Sequence, residues 1–178
     1  MHRALRWILA LVLLTLSVTA FALEAKDGWY HTGDSIRKKS VAFINVKVYA
    51  IGHDMRCLPP AKTKQAVIDV DCDKRFTLRM LRDVDQAKIV SAFREAYALN
   101  GYTDAAKINA AMAAFTVELK ENAYITFTYD SVNKKTTVYE QNGGTVVVPS
   151  IEFMKGTWSI WLGKIDPPSI GDELIANL

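Results

Sequence analysis

The chain has 178 residues, of which half are apolar, and a formal net charge of +3. A chain of this length can form one domain with one hydrophobic core, and it contains no internal repeat or low-complexity segment. Two basic residues, Arg3 and Arg6, lie in an N-terminal segment that we predict to be removed, so the remaining chain is close to neutral. Because no remaining lysine or arginine run is dense enough to follow a phosphate backbone, the composition argues against nucleic-acid binding.

Residues 1–22 have the pattern of a secretory signal peptide. A short basic stretch precedes an apolar run over residues 7–16, and Ala20 and Ala22 supply the small residues of a cleavage site. We therefore predict cleavage after Ala22, a single domain over residues 23–178, and a periplasmic or secreted bacterial protein with no stable membrane span. The alternative is an uncleaved membrane anchor, which polar residues within the apolar run disfavour.

Two cysteines, Cys57 and Cys72, follow the predicted signal peptide. An even pair in an exported protein is typical of a disulfide, which would close a loop of about 15 residues. A redox pair would normally have two residues between its cysteines. The spacing therefore favours a structural bond.

The next elements in chain order include the stretch that carries the candidate site. Residues 33–40 are predicted to form a basic turn containing Arg37, and residues 41–52 a long strand containing Tyr49. Alternate residues of a strand share a face. The predicted core face consists of Ala42, Ile44, Val46, Val48 and Ala50. Tyr49 then lies on the other face, and Arg37 could reach the same cavity if the strand bends or bulges.

The rest of the chain alternates between strand and helix patterns. Predicted strands cover residues 67–70 and 75–80, and a helix begins at Asp83, with Gln86 three positions later as in a capping box. A second helix begins near Asp104. Further strands are predicted over residues 124–129, 136–139 and 145–148, followed by an apolar helix over 153–162 and a terminal helix. This order predicts an α+β fold in which helices pack on one face of an antiparallel sheet.

The residue inventory disfavours most enzyme classes. His31 and His53 are the histidines after residue 22, and neither has metal-ligand spacing to the other or to the cysteines. The sequence has no nucleophile elbow, dinucleotide loop or phosphate loop. We therefore predict no metal and no cofactor.

Three segments together resemble the bacterial chalcone isomerase-like family, which is related in fold to plant chalcone isomerases and plastid fatty-acid-binding proteins. They are the region from Gly33 through Arg37 to Tyr49, the Leu-Arg-Asp-Val at 81–84, and the Ile-Trp-Leu-Gly at 160–163 followed by Pro168. The resemblance implies an open-faced β-sandwich, in which a large antiparallel sheet is covered by helices on one face with an apolar cleft between.

The same resemblance suggests roles for individual residues. Arg37 matches an arginine that helps bind the substrate in plant chalcone isomerases, and Tyr49 stands where those enzymes carry threonine. Fatty-acid-binding members use an arginine and a tyrosine in this region for the carboxylate. Lys88 and Glu95 stand where the plant enzymes supply tyrosine and asparagine, and this difference argues against chalcone cyclisation.

Three functional hypotheses follow. In the first, the protein binds a small amphipathic acid such as a fatty acid without catalysis. Arg37 and Tyr49 would hold the carboxylate, and Val48, Phe93 or Trp158 would line the tail. In the second, Arg37 and Tyr49 stabilise an oxyanion in an isomerase or lyase acting on an enone or phenolic substrate. In the third, the domain has no ligand and serves as a structural or interaction module.

Overall fold

A computed structural model describes residues 23–41 and 43–178. The predicted signal peptide, residues 1–22, lies outside the described residues. In the described ranges, six strands form one antiparallel sheet in which strand order follows the chain. The strands are β1 (Tyr30–Val41), β2 (Ile44–Met55), β3 (Lys74–Met80), β4 (Tyr124–Asp130), β5 (Lys135–Glu140) and β6 (Thr145–Pro149).

Five helices complete the described part of the fold, and they lie on one side of the sheet. They are α1 (Lys64–Asp69), α2 (Gln86–Leu99), α3 (Ala105–Met112), α4 (Ile151–Leu162) and α5 (Ser169–Glu173). The architecture confirms the predicted open antiparallel sheet with helices packed on one face. Within the described ranges, no helix has both the length and the apolar character needed to cross a membrane.

The core forms between the sheet and α4, which is the most apolar of the helices. On β3, Phe76, Leu78 and Met80 are buried beneath the helices, whereas Arg75 and Arg79 alternate onto the open face. The ring of Phe76 lies 5.2 Å from Trp158 and 4.7 Å from Trp161, measured between ring centres. This aromatic layer fixes α4 across the middle of the sheet, because each ring buries a large apolar area.

Two elements differ from the prediction. Residues 33–40 are not a turn but part of β1, and the chain reverses instead near Phe43, which adopts a φ of 69°. Residues 67–70 do not form a strand, since residues 64–69 form helix α1, capped by the Thr63 hydroxyl that accepts from the Ala66 N–H. A short, mostly apolar segment cannot be assigned to helix or strand by periodicity alone. In this segment the Thr63 N-cap favours the helix.

The predicted start of α2 was two residues early. Asp85, rather than Asp83, caps the helix by accepting from the Lys88 N–H. Asp83 instead accepts from the Glu121 N–H and pairs with Lys120, which holds the preceding loop to a neighbouring segment.

The β1–β2 hairpin is longer than the sheet to which it belongs. β3 pairs with β2 only from Tyr49 to Met55, so residues 44–47 pair with β1 alone. We call residues 38–41 and 44–47 the hairpin arm. It extends past the end of β3, and it forms one wall of the candidate site described next.

Candidate functional site

An apolar cleft of about 950 Å³ lies between the hairpin and helices α2 and α4. Small-molecule sites in proteins are typically concave, apolar and a few hundred to about 1,000 Å³ in volume. The apolar lining consists of Ile44, Val46, Val48, Val84, Ile89, Ala92, Phe93, Ala96, Leu99, Ile160 and Ile165. The cleft therefore has the size and the surface of a site for a ligand with an aliphatic or aromatic body.

Charged residues also line the cleft. The basic ones are Arg37, Lys39, Arg82, Lys88 and Lys164, and the acidic ones are Asp83, Asp85, Glu95 and Asp166. Lys88 and Glu95 lie on an exposed face of α2. Both residues thus line the same cleft as Arg37.

Arg37 and Tyr49 face each other directly across the β1–β2 ladder. The next pair along the ladder is Lys38 with Lys47, so Val48 has no partner on β1 and forms a β-bulge. Side chains of directly opposed residues in an antiparallel pair lie on the same face. The register therefore brings the guanidinium and the phenol to one side of the sheet.

The bulge explains why the predicted faces of β2 were wrong. Val46 and Val48 line the cleft, but beyond the bulge the inward positions belong to Tyr49, Ile51, His53 and Met55, which are buried. An extra residue shifts the alternation by one position. Ile44, predicted for the core, is two-thirds exposed, because it lies in the hairpin arm beyond the third strand.

Arg37 has a buried nitrogen with no hydrogen-bond partner among the described residues. Its Nη1 atom is shielded from solvent and makes no hydrogen bond with any residue that the structure describes. Leaving a buried donor unpaired costs about 1–3 kcal/mol, and more when the group is charged. Because Arg37 also lines the cleft, an anionic group of a ligand that reached the guanidinium would supply the missing acceptor.

Tyr49 is buried and oriented by a tryptophan. The Trp161 Nε1–H donates to the Tyr49 hydroxyl oxygen at 3.0 Å. The hydroxyl proton of Tyr49 has no acceptor among the described residues and remains available to a ligand. Burial raises the pKa of Tyr49, while the bond from Trp161 and the charge of Arg37 oppose that shift. The phenol therefore stays protonated and acts as a donor.

The structure places four of the five predicted ligand-binding residues along the cleft, namely Arg37, Tyr49, Val48 and Phe93. Trp158 is not among them. It is completely buried in the core, where its Nε1–H donates to His53 Nε2 at 2.9 Å. Trp161, three positions later on α4, contacts the Tyr49 hydroxyl and was not predicted from the sequence. The two indoles lie on one stripe of the helix, and the sequence holds no signal that separates their partners.

Two other predicted features can be located. Cys57 and Cys72 form a disulfide. Among the described residues, no group of three or more histidine, cysteine, aspartate or glutamate side chains is arranged to hold a metal ion.

Comparisons with known proteins bear on the fold and the family. A family model described as chalcone isomerase-like matches residues 32–168. A crystal structure of a fatty-acid binding protein from Arabidopsis thaliana superposes with a TM-score of 0.67 at 17% identity, covering 88% of this chain and 91% of that chain. At this identity the likeness shows a shared fold. No curated protein sequence matches the chain significantly.

Proposed function

The chain belongs to the chalcone isomerase-like family, and on that premise we propose that it binds a small amphipathic carboxylic acid, such as a fatty acid, without catalysing a reaction. The proposal rests on Arg37, a residue that lines the apolar cleft and whose buried Nη1 atom has no hydrogen-bond partner among the described residues. The fatty-acid binding protein from Arabidopsis, with the same fold, supports the same class of ligand.

In this proposal the carboxylate lies between Arg37 and Tyr49. A guanidinium donates two parallel hydrogen bonds to a carboxylate, and charge-assisted bonds of this kind are about twice as strong as neutral ones. The Tyr49 hydroxyl, fixed by Trp161, donates a further bond with its free proton. The carboxylate of the ligand thus supplies hydrogen-bond acceptors to Arg37 Nη1 and to the Tyr49 hydroxyl, which have none among the described residues.

The aliphatic tail would lie along the apolar lining. Val48 lies beside Tyr49 at the bulge, and Phe93 lies on the facing side of α2. Burial of each methylene group contributes about 0.8 kcal/mol, so a tail of several carbons adds substantially to the affinity. Trp158 has no place in this proposal, because it is enclosed in the core.

Binding is favoured over isomerase or lyase chemistry by the other cleft residues. Arg37 and Tyr49 could stabilise an oxyanion, but such a reaction also needs a group that moves a proton. The described residues that line the cleft include no histidine or cysteine. The carboxylates of Asp83, Asp85 and Glu95 already accept hydrogen bonds from the protein, and the carboxylate of Asp166 is exposed to solvent. We expect no turnover of a chalcone or related enone by the wild-type protein.

Export is part of the proposal. The disulfide between Cys57 and Cys72 supports an oxidising compartment, such as the periplasm or the extracellular space. Mass spectrometry of the protein purified from the periplasm or the medium would test whether the chain begins after Ala22. A mass that includes residues 1–22 would contradict cleavage.

The binding test compares Arg37→Met with Arg82→Met. Both arginines line the cleft, but Arg82 is exposed, so its loss removes a cation of the rim without removing the buried donor. We expect Arg37→Met to weaken binding of palmitic acid by tenfold or more, since a hydrogen bond between charged groups contributes about 1.5–3 kcal/mol. Arg82→Met should change affinity by less than about threefold. Isothermal titration calorimetry gives both values.

The corresponding alcohol, hexadecanol, provides a control on the ligand side. Because the alcohol has no carboxylate, Arg37→Met should leave its affinity nearly unchanged. Equal affinity of wild-type and Arg37→Met protein for palmitic acid would contradict the proposed site. No binding of any acid by the wild-type protein, together with an empty organic extract, would favour the ligand-free module.

A further inference from the structure

The hairpin arm carries an unbalanced positive charge. Between Asp34 and Asp54 the sequence contains four basic residues, Arg37, Lys38, Lys39 and Lys47, and no acidic residue. The three lysines are exposed, and none of them forms an ion pair with any residue in the described ranges. Elsewhere in the described ranges some cations, such as Lys120 and Lys134, are paired with carboxylates, whereas Lys88 and Lys164 also lack an ion pair, so the arm is distinguished by containing no acidic residue at all.

Two of these lysines face each other. Lys38 and Lys47 are directly opposed in the β1–β2 ladder, where like charges destabilise a strand pair. An arrangement that weakens the fold and is not relieved by a nearby carboxylate suggests a partner that brings negative charge. The like-charged pair of Lys38 and Lys47 is thus a local source of instability in the hairpin arm.

The end of the arm is apolar and exposed. Phe43 is fully exposed at the reversal of the chain, and Ile44 beside it is two-thirds exposed. Large apolar side chains on a projecting tip, flanked by unpaired lysines, match the combination that binds protein segments to the surface of anionic membranes.

We propose that the tip of the β1–β2 hairpin docks onto an anionic lipid bilayer. Phe43 and Ile44 would enter the interface between headgroups and acyl chains, and Lys38, Lys39 and Lys47 would contact the anionic headgroups. The charge complementarity and the projection of the arm beyond β3 carry this inference. It does not depend on what the cleft binds.

If the cleft does bind a fatty acid, as proposed above, docking of the hairpin also brings the cleft next to the bilayer, which contains fatty acids. Lys39, Ile44 and Val46 belong both to the arm and to the lining of the cleft. An amphipathic acid leaving the bilayer would thus meet the cleft wall directly. This second step, unlike the docking, rests on the proposed function.

The test is co-sedimentation with vesicles of phosphatidylcholine alone and vesicles containing phosphatidylglycerol in equal part. The protein is expressed with its full sequence and purified from the export compartment, so every variant shares the same N-terminus. We expect binding about tenfold tighter to the anionic vesicles, and loss of that difference at about 1 M salt, where charges are screened within a few ångströms.

Two variants test the residues of the arm. Phe43→Ser should weaken binding to anionic vesicles about tenfold, whereas Val132→Ser, at an exposed apolar residue in the turn between β4 and β5, should not. Lys47→Glu should weaken vesicle binding while raising the melting temperature, because it converts a like-charged pair with Lys38 into an attractive one. Lys26→Glu makes the same change of charge outside the arm and is the matched control for Lys47→Glu, so it should not weaken vesicle binding in the same way.

The outcomes separate this proposal from its rivals. Equal binding to both kinds of vesicle, or equal effects of Phe43→Ser and Val132→Ser, would overturn it. Concentration-dependent self-association without vesicles, abolished by Phe43→Ser, would assign the tip to a second copy of the chain and would also overturn it. Arg37→Met, expected to lose palmitic acid, should keep its vesicle binding within about twofold, so failure of the cleft and failure of the docking are distinguishable.

Discussion

Buried polar groups have hydrogen-bond partners at one end of β2, whereas some at the other end have none among the described residues. At the end near Met55, His53 lies between Trp158, whose Nε1–H donates to His53 Nε2, and the Thr32 hydroxyl, 2.6 Å from His53 Nδ1. Because Nε2 accepts, Nδ1 carries the proton and donates to Thr32. The Thr32 hydroxyl in turn donates to the Leu174 carbonyl at 2.7 Å.

Lys74, at the same end of the sheet, is also fully partnered. Its Nζ donates to the carbonyls of Val67, Ile68 and Val70 at 2.7, 2.9 and 2.9 Å. These carbonyls lie at the C-terminal part of α1 and just beyond it, where a helix has carbonyls without internal partners. The ammonium thus serves as a cap for α1.

At the cleft end of β2, by contrast, Arg37 Nη1 and the hydroxyl proton of Tyr49 have no partner among the described residues. The difference teaches that the fold is able to satisfy buried polar groups where they serve structure. Two other buried side-chain atoms, Thr136 Oγ1 and Glu140 Oε1, also lack a partner among the described residues, so the donors of Arg37 and Tyr49 are distinguished by belonging to residues that line the cleft and not by being the sole unpaired groups.

The largest expected effect comes from comparing Lys74→Met with Arg37→Met. Lys74→Met should lower the free energy of unfolding by about 4 kcal/mol, because it leaves three carbonyls without their donor. Arg37→Met should not lower it and should raise it by about 1–3 kcal/mol, since it removes a buried donor whose lack of a partner costs about that much. Urea denaturation of both variants gives the two values. Similar losses in both would remove the contrast between the two ends.

The pH dependence of stability sharpens the same comparison. Burial, together with the charge of Lys74, lowers the pKa of His53 to about 3 from an ordinary value of 6.5. Between these values the unfolded chain binds a proton that the folded protein does not, so stability falls as pH decreases below 6.5. The contribution of His53 to the slope is about 1 kcal/mol per pH unit, and His31 opposes it near pH 6.5, because burial of His31 is outweighed by Asp54 and Asp34 and its pKa is raised.

Denaturant unfolding at about pH 6.5 and pH 5 would measure this slope before most carboxylates titrate. In His53→Gln the slope over that interval should be much smaller, whatever the absolute stability of the variant. An unchanged slope would mean that His53 is not the group responsible.

Tyr49→Phe is expected to have the smallest effects. The change leaves the Trp161 Nε1–H without its acceptor, which should cost about 1 kcal/mol of folding stability. It also removes one neutral donor from the proposed carboxylate site and should weaken palmitic acid binding about fivefold, less than Arg37→Met. Thermal unfolding and calorimetry measure the two effects. A loss of affinity greater than that of Arg37→Met would reverse the proposed order of importance.

The sequence was sufficient for the parts of the fold that depend on periodicity and caps. The alternation of Phe76, Leu78 and Met80 correctly predicted an inward-facing strand, and Asp104 correctly marked the start of α3. Residues 67–70 were assigned wrongly because a segment of three apolar residues and one aspartate fits either a strand or a helix, and the Thr63 cap was not recognised.

The geometry of the candidate site was less accessible from sequence. Arg37 and Tyr49 could be singled out from the sequence. Their pairing depends on the hairpin register and on the bulge at Val48, and no residue type in this stretch predicts either feature. The exchange of roles between Trp158 and Trp161 has a similar cause. Which indole reaches Tyr49 and which reaches His53 is decided by the position of α4 over the sheet.

The hairpin arm has a mechanical consequence. A ribbon of two strands without a third is only marginally stable alone, so the wall of the cleft beyond Tyr49 yields more easily than the wall formed by β2 and β3. Arg37 lies where β2 is supported by β3, whereas the apolar wall of the cleft continues along the less rigid hairpin arm. In an acid-binding protein this division makes recognition of the headgroup strict and accommodation of tail length and branching broad.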